Sequence, residues 1–258
     1  MTTPSEPRTS CSYHVGRDSA FSPFEAIGIL SATLATLLVV GVVNSAIAMP
    51  LVVAAIVGEL AILAMPVIAR VVLGKRLGVT RTSWRFVAGA ALIGTSAWYV
   101  NLRLIDLLPI PEGEAEHLRR VVEQPSLVVT LLAIAVLPAV CEEVLFRGVL
   151  FRGLAARLVP WAACLASAAV FAAYHMNFGQ LVPTFLIGIV LAWITHRAQS
   201  VVPAMVAHLL NNVAGVLVSR DQPAGLRAMF EQHPAIALCA AATLTGAGIA
   251  IIARRPTS

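Results

Sequence analysis

The chain has 258 residues, of which 59% are hydrophobic and 12% charged, and its formal net charge is +5. A soluble domain carries about a quarter charged residues, so this composition excludes a water-soluble enzyme or binding module and makes lipid the solvent. The excess of Lys and Arg does not point to nucleic acid, because these residues sit in short clusters between apolar runs, where basic loops set membrane topology.

Residues 1–23 are polar, rich in Ser, Thr and Pro, carry charges of both signs, and are expected to form a disordered tail. From residue 24 to about 255 the chain reads as one transmembrane helical domain. A span needs roughly 20 apolar residues, and apolar segments fall at about 26–49, 50–73, 86–105, 126–157, 160–177, 180–196, 201–219 and 234–253. The expected fold is therefore all-α, with about eight transmembrane helices bundled around an intramembrane polar cavity. The first segment exceeds the roughly 7–15 apolar residues of a signal-peptide core and reads as a retained span, and Pro50 is the break before the second. Cys141, Cys164 and Cys239 lie in apolar segments and Cys11 in the polar N-terminus. Buried cysteine behaves as a small hydrophobe, so no disulfide framework is expected.

Lys75, Arg76, Arg81 and Arg85 follow the second segment, and Arg254 and Arg255 follow the last. The stretch 106–124 instead carries Asp106, Glu112, Glu114, Glu116 and Glu123 against Arg119 and Arg120. With eight spans, the preference of Lys and Arg for the cytoplasm predicts that both termini are cytoplasmic. The Ala- and Arg-rich composition points to the inner membrane of a bacterium.

The fourth segment holds Glu142, Glu143, Arg147, Arg152 and Arg157 in an otherwise hydrophobic run. Arg152 and Arg157 fit a cytoplasmic helix end. The two glutamates lie about 17 residues past Pro125, roughly 25 Å along a helix, and are intramembrane ionisable groups. Such a charge costs at least ~2.5–3.5 kcal/mol on insertion scales and faces a protein interior or an aqueous cavity. Successive helical positions differ by about 100°, so the two glutamates take different partners. Glu143 and Arg147 are spaced i,i+4 and are expected to form a structural ion pair. Glu142 has no local cation among Val140, Cys141 and Phe146, which suits a general base or acid.

In the fifth segment His175 shares a helical face with Phe171. Val159 and Pro160 mark the hairpin before it. Glu142 lies 17 residues before Val159 and His175 lies 16 after it, so antiparallel helices bring them to nearly equal depth. In the seventh segment His208 and Asn212 are spaced i,i+4, with Asn211 close enough in angle to compete, and both residue types donate hydrogen bonds to a developing oxyanion. Depth is a difficulty here: upright helices leave His208 of order 10 Å from His175 along the bundle. Tilt, an early end to the fifth helix or a shifted boundary near Gln199 would close that gap. A plainer reading of each polar group is interhelical glue, worth ~0.6–2 kcal/mol.

Taken together, Glu142-Glu143-x-x-x-Arg147, Phe171-x-x-x-His175 and His208-x-x-x-Asn212 resemble the three motifs of the CAAX-protease and bacteriocin-processing (CPBP) family of intramembrane proteases, which includes the Ras-converting CAAX endopeptidase and bacterial Abi proteins. The similarity spans roughly residues 120–220. The resemblance implies an intramembrane endopeptidase in which Glu142 and His175 activate water, His208 and Asn212 stabilise the oxyanion, and Glu143, Arg147 and Phe171 hold the site in shape. It implies a membrane-anchored substrate, a C-terminal tail or a leader peptide, and no nucleic acid. No cofactor is required in the favoured reading. Zinc held by Glu142, His175 and His208 is the alternative, although the helix-borne signature H-E-x-x-H is absent. Two other readings use the same residues: a non-catalytic membrane scaffold or immunity protein, and a proton-coupled transporter. Pro138, one turn before Glu142, is expected to open the helix there.

Overall fold

The computed structural model describes residues 20–105, 122 and 125–254. The expectations for the tail up to residue 19 and for most of the acidic stretch 106–124 lie outside the described residues. Among those described, the chain is helical throughout: α1 Pro23–Ala46, α2 Leu51–Leu73, α3 Trp84–Ile105, α4 Leu127–Ala155, α5 Pro160–Tyr174, α6 Phe178–Ala198, α7 Val202–Ser219, α8 Leu226–Gln232 and α9 Pro234–Ala253. Six of these helices are long and apolar enough to cross a membrane, namely α1, α2, α4, α6, α7 and α9. The other two long elements are α3, which packs along α9 and α7, and the 15-residue α5, which packs along α6.

Helix starts follow local chemistry. Ser22 and Glu25 form a reciprocal capping box on α1, in which the Ser22 N–H donates to Glu25 at 2.6 Å and the Glu25 N–H donates to Ser22 at 3.3 Å. This satisfies two of the donors that a helix N-terminus leaves open. Just before it Phe21 is buried in the main core, so packing begins ahead of the apolar run. Pro50 precedes α2, Pro160 and Pro234 open α5 and α9, and Asn177 caps α6 by accepting from the Gln180 N–H at 2.9 Å. The short α8 has no counterpart among the expected segments. It forms because Asp221 accepts from the N–H groups of Arg227 and Gly225, which holds its carboxyl below the usual carboxylate range, and because Phe230 packs edge-on against Trp98 at 4.8 Å.

The starts of α1, α3, α5 and α7 and the ends of α2, α4, α6 and α9 gather at one end of the bundle. Arg85 donates to the Arg254 carbonyl at 3.0 Å, Arg152 to that of Arg76 at 3.5 Å, and Arg197 to that of Ala253 at 2.8 Å. The Val201 N–H donates to the Gly78 carbonyl at 3.0 Å, and Ser200 bonds Thr80 across the same end. The described chain therefore passes back and forth eight times and collects its basic loops on a single face.

Helix α4 is not a uniform α-helix. Two stretches, Leu132–Val136 and Glu143–Phe151, have the wider π-helical turn, and Pro138 lies between them. Proline gives no N–H to the carbonyl four residues earlier and its ring crowds that carbonyl, so the ladder must shift around it. On the other side of the site, a Cβ on Gly94 of α3 would run into the backbone of Ala207. That close approach seats α7 beside α3 at the residue before His208.

In a background free of native cysteines, single reporters at Ser83 and Gln199 should label from one side of the membrane, and reporters at Ala48 and Ala224 from the other. Labelling of all four from one side would contradict the eight passes.

Candidate active site

The two glutamates of α4 point in different directions, as their 100° offset requires, but share one neighbour, His208. Glu143 Oε1 accepts from Arg147 Nη1 at 2.8 Å and from His208 Nδ1 at 2.9 Å. Neither the Glu143 nor the Arg147 side chain has any solvent exposure. Arg147 also donates through Nη2 to the Gly188 carbonyl at 3.2 Å, and its guanidinium lies 4.2 Å from the centre of the Phe171 ring. Gly188 permits this: a Cβ there would press on Ala168 and Phe171 of α5 at 3.1–3.2 Å. A carboxylate only accepts, so His208 donates through Nδ1 and turns Nε2 to the opposite side. That nitrogen lies 3.8 Å from Glu142 Oε2. The separation is too long for a direct hydrogen bond. Glu142 is buried, and its Oε2 has no hydrogen-bond partner in the protein.

His175 is placed by its own helix. α5 ends at Tyr174, short of the boundary near 177 that hydropathy suggests, and His175 is its C-terminal cap. The His175 ring folds back so that Nδ1 meets the Phe171 carbonyl at 2.9 Å. A carbonyl only accepts, so Nδ1 carries the proton and Nε2 is the acceptor of the neutral ring. The ring stands edge-on to Phe171 at 4.9 Å, and the His208 ring stands edge-on to the same Phe171 at 6.0 Å. Phe146, one turn beyond Glu142, packs on Phe171 at 5.0 Å and on Tyr174 at 5.4 Å. Phe171 is thus the hub around which Arg147, His175 and His208 gather. The early end of α5 and the folded-back ring bring His175 to the level of that hub, which addresses the depth difficulty.

Asn212 Nδ2 donates to the Ile134 carbonyl at 2.9 Å, and Asn211 Nδ2 donates to Asn212 Oδ1 at 3.1 Å. Ile134 is the residue four before Pro138, so its carbonyl is the one that proline cannot serve. Asn212 therefore ties α7 to the break in α4, with its second amide hydrogen left over.

One carboxyl lies outside the three motifs. Glu59, halfway along α2, approaches Glu142 within hydrogen-bonding reach, and Tyr174 and Cys141 lie close enough to both carboxyls to feel their charge. Its signal in the sequence is plain: it is the lone acidic residue in a 23-residue apolar helix, where a charge is costly and marks a functional site by default. Nothing local names its partner.

Glu142, His175 and His208, the set that would bind zinc, do not gather into a metal centre. Among the described residues no three His, Cys, Asp or Glu side chains are grouped to hold a metal ion. Two cavities lie elsewhere, one of about 290 Å³ between α1 and α2 and one of about 310 Å³ beside Lys75 and Arg157 on the basic face.

Fold and site together define a polytopic helical membrane protein with a buried cluster of acids and histidines. Residues 124–214 match the family described as type II CAAX prenyl endopeptidase, Rce1-like, and this matched segment carries Glu142, Glu143, Arg147, Phe171, His175, His208 and Asn212. The match runs from α4 through α6 into α7 and leaves out α1–α3, α8 and α9. No curated protein and no solved structure matches the chain.

Removing one partner of a buried ion pair strands the other charge, at ~3–5 kcal/mol. Arg147→Ala and Glu143→Gln should each lower stability by that order in a detergent-based unfolding assay. Asn212→Ala should cost about 1 kcal/mol through its lost bond to Ile134, a loss not expected for Asn211→Ala.

Proposed function

We propose that the protein is an intramembrane endopeptidase in which Glu142 is the general base. One observation carries this reading: of two adjacent buried glutamates, Glu143 is bound through Oε1 by both Arg147 and His208, whereas Glu142 bonds no cation and turns its unpartnered Oε2 to His208 Nε2 at 3.8 Å. The family match supports a CAAX-type intramembrane protease in general; the roles of the residues are our assignment.

Hydrolysis of a peptide bond needs a base for water, a donor for the carbonyl oxygen as it becomes an oxyanion, and a proton for the departing amine. Glu142 Oε2 and the accepting Nε2 of His175 draw a proton from water, and the hydroxide so formed attacks the carbonyl carbon. His208, oriented by Glu143, presents Nε2–H to the tetrahedral oxygen when its ring is doubly protonated, and the second amide hydrogen of Asn212 adds to that donor set. The proton gained by Glu142 passes to the amine nitrogen as the C–N bond breaks. Glu143, Arg147 and Phe171 fix the two histidines by hydrogen bond and ring contact. No step needs a metal or other cofactor.

The substrate is a membrane-anchored peptide, either a C-terminal tail or a leader segment. The basic face supports an orientation with both termini in the cytoplasm, and the setting we assign is a bacterial inner membrane.

Purified protein should cleave a quenched peptide bearing an apolar anchor, and Glu142→Gln should lower kcat by roughly 10²–10⁴ without moving the thermal midpoint. Unaltered turnover in Glu142→Gln would remove this function. Glu142-dependent proton flux in liposomes without peptide cleavage would favour a transporter instead.

A further inference from the structure

Helix α2 lies outside the segment that matches the protease family, yet it packs against the part of α4 that bears Glu142. It brings Glu59 there. The Glu59 side chain comes within hydrogen-bonding reach of Glu142 where α2 packs on α4, and each carboxyl has an Oε2 that is buried without a partner. Arg147, whose charge reaches Glu142, is committed to Glu143 and to the Gly188 carbonyl. The other titratable groups around the contact are Cys141, Tyr174 and His208, of which only His208 can carry positive charge, and its Nδ1 is bound to Glu143.

Two carboxylates repel at such a contact, whereas a carboxylic acid and a carboxylate form a short, charge-assisted hydrogen bond. The contact therefore holds a proton, and one group donates to the other. Glu142 lies 3.8 Å from His208 Nε2, and a doubly protonated His208 ring, which the hydrolysis uses as a donor, favours the carboxylate on Glu142 and the O–H on Glu59. We propose that Glu59 is a positioning residue for the hydrolysis: its O–H donates to Glu142 and holds the Glu142 carboxyl with Oε2 toward His208 Nε2. This rests on the reading of Glu142 as the base. A side chain rotating about its last bonds would present that oxygen to water only part of the time, and orientation is what makes such a group effective. The alternative is a polar clasp that serves only to join α2 to α4.

The two differ in which substitution they tolerate. Glu59→Gln keeps an N–H donor for Glu142, and Glu59→Leu removes the donor while suiting the lipid better. With the quenched anchored peptide, Glu59→Leu should lower kcat by roughly 10–100-fold, the usual effect of losing a supporting hydrogen bond, with KM unchanged and the thermal midpoint equal or higher. Glu59→Gln should stay near wild type. Unaltered kcat in Glu59→Leu, equal loss in both variants, or a loss of kcat that tracks a lower midpoint would each overturn the positioning role. Glu142→Gln run alongside separates the two ideas: its retained turnover would remove the base itself, whereas an inactive Glu142→Gln beside a normal Glu59→Leu would remove only the positioning. A readout independent of any substrate is the infrared carbonyl stretch of a carboxylic acid, present in wild type and lost in Glu59→Gln. Identical spectra for the two would overturn the proposal.

Discussion

A guanidinium cannot shed its proton, so an arginine enclosed within a membrane protein must be surrounded by acceptors. Arg147 is fully buried, and its surroundings organise the site. Glu143 takes one end of the guanidinium, the Gly188 carbonyl takes another, and the Phe171 ring lies against its face. Each of these partners is itself tied to a further helix: Glu143 to His208 on α7, Gly188 to the close seam between α5 and α6, and Phe171 to His175. Displacing the guanidinium would release α4, α5, α6 and α7 together. The same network bonds Glu143 directly and meets Glu142 only across 3.8 Å at His208, so two identical side chains in adjacent positions have different surroundings.

A second constraint comes from the backbone. Within lipid every peptide group must find a partner inside the protein, and Pro138 removes one donor in the middle of α4. The helix answers with wider turns before and after the proline, and α7 answers with Asn212, whose amide donates to Ile134. Asn212 therefore serves structure and the proposed chemistry at once. Its link to the proline break fixes the rotation of α7, and that rotation aims His208 at the two glutamates.

At the basic end one ion pair, Lys75 with Glu25 at 3.9 Å, joins the loop after α2 to α1, and loop backbones make the other cross-links. Arg85, Arg152 and Arg197 each donate to a carbonyl near the end of another element. These contacts join a cation to the carbonyls that a helix end or loop leaves open, and they gather the positive charge on the face where it sets topology.

The sequence by itself determined the number of passes, the break at Pro50, the gathering of basic residues at alternate helix ends and the pairing of Glu143 with Arg147. Each of these depends on hydropathy over about 20 residues or on neighbours within one helical turn, which are local quantities. Tertiary structure decided the rest. His208 lies between Glu143 and Glu142, 65 residues away in sequence from the former, and Asn212 reaches Ile134 across 78. Glu59 meets Glu142 from a helix that none of the motifs touches. The last turn before His175 ends early because the chain must bend into α6 at Met176 and Asn177, with Met176 in the left-handed backbone region. Periodicity gives the face on which a side chain lies, but the partner of that face depends on how far neighbouring helices slide and rotate against each other. Small residues such as Gly94 and Gly188 set those distances only once the helices are packed.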